Sequence, residues 1–186
     1  MFRKTLKNFF RNKVPLQDAG HPTLLTRHTE KTLRAISVTA TADDSKVNFV
    51  APNPDYNAKI RNAIGEIVGT AEFGISPLNE TVFLYGLDIL PAHQRQGYAL
   101  ALLVWLANEH NLPITPVHET IPARNFWISA HKFKASNLVL LDQLRCGEMN
   151  EEKSRWAHLV PESEAERLIR EYKESEGSKS VGLLLV

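Results

Sequence analysis

The sequence predicts an α+β domain in which a mixed, mainly antiparallel sheet is flanked by helices. Three observations predict it. Residues 33–90 carry apolar and β-branched runs that alternate at period two. After Pro91 the pattern switches to residues 98–107 (YALALLVWLA), which are apolar all round and must form a helix buried on most faces. The order of segments is four strands, helix, strand, helix, hairpin, helix, with no internal repeat. A chain of 186 residues, 43% apolar and 23% charged, supports one core with short appendages and not two full domains.

Phe2, Leu6, Phe9 and Phe10 fall at helical spacing, and Arg3, Lys4, Lys7, Arg11 and Lys13 add five positive charges. Residues 1–13 therefore read as a short basic amphipathic helix inside an arm of residues 1–30. Docking on its own domain or on a partner subunit is the favoured role, with anionic lipid or nucleic-acid phosphate as the alternative. Residues 33–41 alternate as a strand, Asp43-Asp44-Ser45 marks a turn, and residues 46–51 read as the returning strand. Residues 66–76 and 81–90 complete a four-stranded meander around Pro77-Leu78-Asn79-Glu80. Residues 114–117 predict a short central strand, and Pro122 suits the first position of a helix reaching about Lys134. Residues 138–144 and 155–160 read as a hairpin around Cys146-Gly147-Glu148. Ser163 and Glu166 form a capping box for a helix that Gly177 should stop, so the domain spans 31–176 and an apolar tail follows at 177–186.

Composition removes several functions. With 22 Lys and Arg against 21 Asp and Glu, no overall field draws the chain to nucleic acid. No apolar run approaches the roughly 20 residues that cross a bilayer, and the amino terminus has no apolar signal core, so integral membrane association is not expected. A single cysteine, Cys146, points to a reducing compartment, and a cytoplasmic location is expected. Seven scattered histidines show no metal-ligand spacing, so no metal is expected. Phosphate-loop and dinucleotide motifs are also missing. Trp105, Trp127 and Trp156 sit in regular elements, where packing is the default role.

The chemistry concentrates at residues 82–106. A strand ends near Ile89, Pro91 stops its pairing, and Gln94-Arg95-Gln96-Gly97-Tyr98-Ala99 runs into the buried helix. The first turn of a helix carries unpaired N–H groups and a partial positive charge, so a loop that aims them outward forms an anion site. Gly97 lets a ligand approach the backbone, Ala99 keeps the next turn free of bulk, and Arg95 adds a full charge. A diphosphate is the natural occupant.

With Gln94, Gly97 and Ala99 at Gln-x-x-Gly-x-Ala spacing, led in by Leu87, Ile89 and Pro91, this segment resembles motif A of the GNAT acetyltransferase superfamily. The order of elements extends the likeness over residues 32–160. The resemblance implies an acyl-CoA N-acyltransferase-like fold and acetyl-CoA as co-substrate, with no metal. The loop amides of Arg95, Gln96, Gly97, Tyr98 and Ala99 would hold the diphosphate. The strand through Leu87, Ile89 and Leu90 would bind the pantetheine arm, and the strand at 114–117 would splay away to open the thioester slot. Asn125 takes the place of the family's Asn on the following helix. The family's proton-donating Tyr is missing: no tyrosine lies between Tyr98 and Tyr172, and Lys132 stands where it is expected, beside His131. Those two are the candidates to protonate the departing thiolate, unless water serves or the acid is absent. For the acceptor's proton, Glu119 ranks first and His118 second, with Asp88 and Glu72 as further options.

The family's two helices between its first and second strands have no room at 41–46, unless residues 56–63 supply a short one. An open acceptor site follows, which favours a protein or peptide amine. The expected function is acetyl transfer from acetyl-CoA to an amine. The alternative is a non-catalytic GNAT-fold structural or interaction protein, with partner-protein or homo-oligomer contacts through residues 1–13 and 181–186.

Overall fold

The computed structural model describes residues 33–43 and 48–182, with side chains described to Glu174. The basic helix expected at 1–13, the rest of the arm to residue 30, and the last four residues of the apolar tail lie outside them. Five strands, β1 (Ile36–Asp43), β2 (Asp55–Asn62), β3 (Ile67–Ile75), β4 (Val82–Ile89) and β5 (Ile114–Pro116), form one sheet in the order β1-β2-β3-β4-β5. The first four are antiparallel and β5 joins β4 in parallel, the mixed sheet that the sequence predicts. Helix α1 (Tyr98–His110) supplies the parallel crossover, α2 (Arg124–Lys132) follows β5, and α3 (Met149–Ser154) and α4 (Glu164–Gly182) come last.

The core lies mainly on one sheet face. Ala58, Ile60, Val68, Ala71, Phe73, Val82, Leu84 and Ile89 pack there against Leu102, Leu103 and Leu106 of α1 and Trp127 of α2. On β4, Leu84 and Leu87 contribute to this same cluster although they are three residues apart. A bulge explains it: Glu72 pairs with Gly86 and Phe73 with Leu84, so Tyr85 is the extra residue and the alternation shifts by one. A smaller cluster on the opposite face gathers Val50, Phe83, Val117 and Trp156. Trp156 is fully buried, donates its indole N–H to the Phe49 carbonyl at 3.3 Å and meets the Phe49 ring edge-on at 5.3 Å.

Four expectations about the fold are corrected. Residues 49–51 form a turn and not part of the returning strand expected at 46–51, because Phe49 and Val50 insert into the smaller cluster. The second strand is β2, where Tyr56, Ala58 and Ile60 face the core and Asn57 and Lys59 face solvent, and not a helix at 56–63. The hairpin of 138–144 with 155–160 does not form. The first segment runs parallel to β5 through bridges Ile114–Leu140 and Val117–Leu144, while Trp156 and the turn Ala157–Leu159 cap the second face. The capping box at Ser163 and Glu166 is present, with the Ser163 hydroxyl donating to Glu166 at 2.7 Å and the Glu166 N–H donating back at 3.2 Å. Gly177 does not stop α4, which runs to Gly182. No helix among the described residues is long and apolar enough to cross a membrane.

Candidate active site

One hydrogen-bonded end and one open end of the β4–β5 pair shape the site. At the start of β4 the Thr81 hydroxyl lies 2.8 Å from the Thr115 hydroxyl and donates to the Pro113 carbonyl at 3.0 Å, while the Val82 N–H also reaches that carbonyl. This clamps β4 to β5 over Val82–Ile114, Phe83–Thr115 and Leu84–Pro116. The last contact is the Val117 N–H to the Leu84 carbonyl at 2.9 Å. His118 then adopts a left-handed φ of 55°, and its N–H donates to the Leu144 carbonyl. The chain has changed partners. From Tyr85 to Ile89 the β5-side edge of β4 has no strand partner among the described residues and borders a cleft of about 1310 Å³.

The cleft's inner end is the loop from β4 into α1. Gly97 is the residue before the helix, with φ 90°, a value that a side chain would strain. No side chain caps the helix start, and the first intrahelical bond runs from the Ala101 N–H to the Gly97 carbonyl. The N–H groups of Tyr98, Ala99 and Leu100 therefore stand free of intrahelical partners beside the cleft. The two glutamines brace the loop from behind: Gln94 Nε2 donates to the Ile89 carbonyl and Gln96 Nε2 to the Ala92 carbonyl, each at 2.9 Å. Arg95 sits at φ 58° and makes no ion pair or hydrogen bond among the described residues.

The cleft brings together Leu87, Ile89, Gln94, Arg95, Gln96, Gly97, Tyr98, Ala99, Asn125, His118 and Glu119. Asn125 is on the first turn of α2, which faces the cleft with Phe126, Trp127 and Ser129. The Glu119 N–H donates to the Gln143 side-chain carbonyl at 3.1 Å, and His118 Nδ1 lies 3.4 Å from Cys146 Sγ. Leu90 does not line the cleft; its N–H donates to the Val68 carbonyl on the β3 side. Nor do His131 and Lys132, exposed in the last turn of α2 beyond the lining residues.

Sequence reasoning did not find Arg34 and Gly86. Both line the cleft. Gly86 is not demanded by packing, because a methyl group there would meet only Glu72 carbons at 3.8 Å and beyond. Its bare backbone and the exposed Glu72 and Asp88 leave this part of the sheet open beside the cleft. No helix lies between β1 and β2 among the described residues, so Thr39, Thr41, Asn57, Lys59 and Thr70 are exposed on the same face.

The loop and the helix start are features that motif A of the sequence anticipates, and the matching family model covers them, while β5 lies beyond it. Residues 24–110 match the model of the Acetyltransferase (GNAT) family. A comparison with curated proteins finds no match. Sixteen chains of known structure match. One is a GNAT-family protein of Desulfovibrio desulfuricans, 21% identical over 41% of this chain and 54% of its own, with a TM-score of 0.34. Another is the spermidine/spermine N-acetyltransferase SpeG of Vibrio cholerae, 14% identical over 51% of this chain and 76% of its own, at 0.38. A third is nourseothricin acetyltransferase, 16% identical over 55% of this chain and 74% of its own, at 0.35. This chain thus spans little more than half the length of the Desulfovibrio protein. At such scores these likenesses say nothing of what the chain acts on.

Proposed function

We propose that the chain is an acetyl-CoA-dependent N-acetyltransferase that acts on an exposed amine of a protein or peptide. The observation that carries this reading is the parting of β4 from β5 after Leu84 and Pro116, which opens a slot leading straight to the unpartnered amides at the start of α1. A thioester substrate with a diphosphate at its far end needs both. The loop fits it without a side chain in the way, and the bare edge of β4 offers backbone groups for an amide-bearing arm.

In the reaction the amine nitrogen attacks the thioester carbonyl, the C–N bond forms, the C–S bond breaks, and the departing thiolate takes a proton. In this reading backbone N–H groups of β4 near Tyr85–Leu87 polarise the carbonyl as charge develops on it. Glu119, held by Gln143 at the mouth of the slot, accepts the ammonium proton directly or through a water, with His118 next to it as the alternative acceptor. His131 and Lys132 stand outside the cleft lining, so water or His118 is the better source of the thiolate's proton. The acceptor is read from the open sheet face around Gly86, Glu72 and Asp88, which leaves room for a segment of polypeptide and encloses no small molecule.

The position of His131 and Lys132 also favours one rival, a non-catalytic protein that keeps the CoA cleft. A free-thiol assay with acetyl-CoA and a panel of peptide amines decides. Thiol release that depends on peptide supports the enzyme; tight acetyl-CoA binding with no release by any peptide supports the rival.

A further inference from the structure

CoA carries three phosphoryl groups, two in the diphosphate and one on the ribose 3′ position. The free amides at the α1 start and Arg95 account for the diphosphate. Among the described residues lining the cleft, the only other arginine or lysine is Arg34. It lies just ahead of β1, which the antiparallel order brings to the same end of the sheet as the loop after β4. Arg34 is exposed and makes no ion pair or hydrogen bond among the described residues. Its neighbour His93 is, by contrast, engaged, with Nε2 at 3.4 Å from Glu66.

Arg34 also lines a second hollow, of about 410 Å³, together with Leu33, Ala35, Ala63, Ile64 and Tyr98. Leu33, Arg34 and Tyr98 line both spaces, so the hollow adjoins the diphosphate end of the cleft and not the acceptor end. Its walls are mainly apolar, and Ile64 stands 85% exposed with nothing on the chain to cover it among the described residues. A flat base beside a charged phosphate suits such walls.

We propose that Arg34 binds the 3′-phosphate of CoA and that the adenine lies in the hollow beside it. The proposal rests on the CoA reading above. The test is calorimetric titration of the full chain with CoA and with 3′-dephospho-CoA, for the wild type, Arg34→Ala and Ile64→Glu. The wild type should prefer CoA by between about five- and fifty-fold, the range for a charge-assisted contact on an exposed surface. Arg34→Ala should bind both ligands alike, at the wild-type affinity for dephospho-CoA. Ile64→Glu should weaken both ligands together, since adenine is common to them. Equal binding of the two ligands by the wild type, or equal loss of both in Arg34→Ala, overturns the 3′-phosphate contact. Unchanged affinities in Ile64→Glu overturn the adenine seat. If neither ligand binds the wild type, the CoA reading itself falls and this inference falls with it.

Discussion

Glu119 and His118 occupy adjacent positions, yet the backbone gives them different work. His118 takes the left-handed conformation that turns the chain from β4 to Leu144, so its replacement would disturb the slot as well as the chemistry. Among the described residues Glu119 is held only through its N–H by Gln143, which leaves its carboxylate without a hydrogen-bond or ion-pair partner there. Glu119→Gln should therefore lower kcat by about 100-fold, the scale of a lost general base, while the acetyl-CoA Kd stays within two-fold. Loss of binding and turnover together would give the residue a structural role. His110 offers a pH test of packing. It ends α1 against Phe73 and Trp105, with Nε2 buried and without a hydrogen-bond partner among the described residues. Burial lowers its pKa below the usual 6.5, overriding the attraction of a helix carboxyl end for a cation. The unfolded chain then takes up the proton first, so this group's contribution is intact above about pH 6.5 and fades as pH falls below it. Denaturant midpoints at pH 7.5 and 5.5 should differ more for the wild type than for His110→Leu. An equal difference would contradict the buried neutral ring.

At the scale of elements, the clamp and the split have separate supports. Thr81, Thr115 and Pro113 close one end of the β4–β5 pair, and Trp156 with Phe49, Phe83 and Val117 holds the far face where β5 turns away. Trp156→Ala should cost about 3–5 kcal/mol of stability by leaving a cavity under the strand that forms one wall of the slot. Chemical denaturation measures it; a loss below 1 kcal/mol would remove Trp156 from that role. The elements also show where the sequence could be read and where it could not. Residues 98–107 were legible because an apolar run without polar faces has few outcomes other than a buried helix, and Ser163 with Glu166 marked the start of α4 through local hydrogen bonds. β2 carries a true alternation of Tyr56, Ala58 and Ile60 against Asn57 and Lys59, but the prolines at 52 and 54 and the apolar Phe49 and Val50 pointed to the wrong segment. Phe49, Val50 and Trp156 are apolar for a face that only tertiary contact creates. The parallel run of 138–144 rests on two bridges to β5, which no local pattern announces.

Across the whole molecule, the site is a consequence of sheet order. Four antiparallel strands place the start of β1, the end of β2 and the end of β4 at one end of the sheet, where the loop into α1 also lies. That arrangement makes Arg34 part of the cleft, and no feature near Leu33 or Ala35 in the sequence signals it. Gln94, Gly97 and Ala99 were legible because their spacing is local and the backbone must turn within a few residues. Asn125, His118 and Glu119 were found through resemblance, and the fold brings them to the same cleft; His131 and Lys132, found the same way, stay outside its lining. The open face beside Gly86 depends on the absence of a helix between β1 and β2 among the described residues, and the proposal of an extended polypeptide amine as acceptor rests on that face.

Calorimetric titration of acetyl-CoA into the wild type and Gly97→Trp tests the central claim most directly. An indole at the helix start would fill the approach to the amides of Tyr98, Ala99 and Leu100, and Gly97 itself belongs to neither core cluster. The account predicts saturable one-to-one binding by the wild type and none by the variant, with the variant still showing a cooperative thermal transition. Equal affinity of the two proteins for acetyl-CoA, or no binding by the wild type, would contradict it.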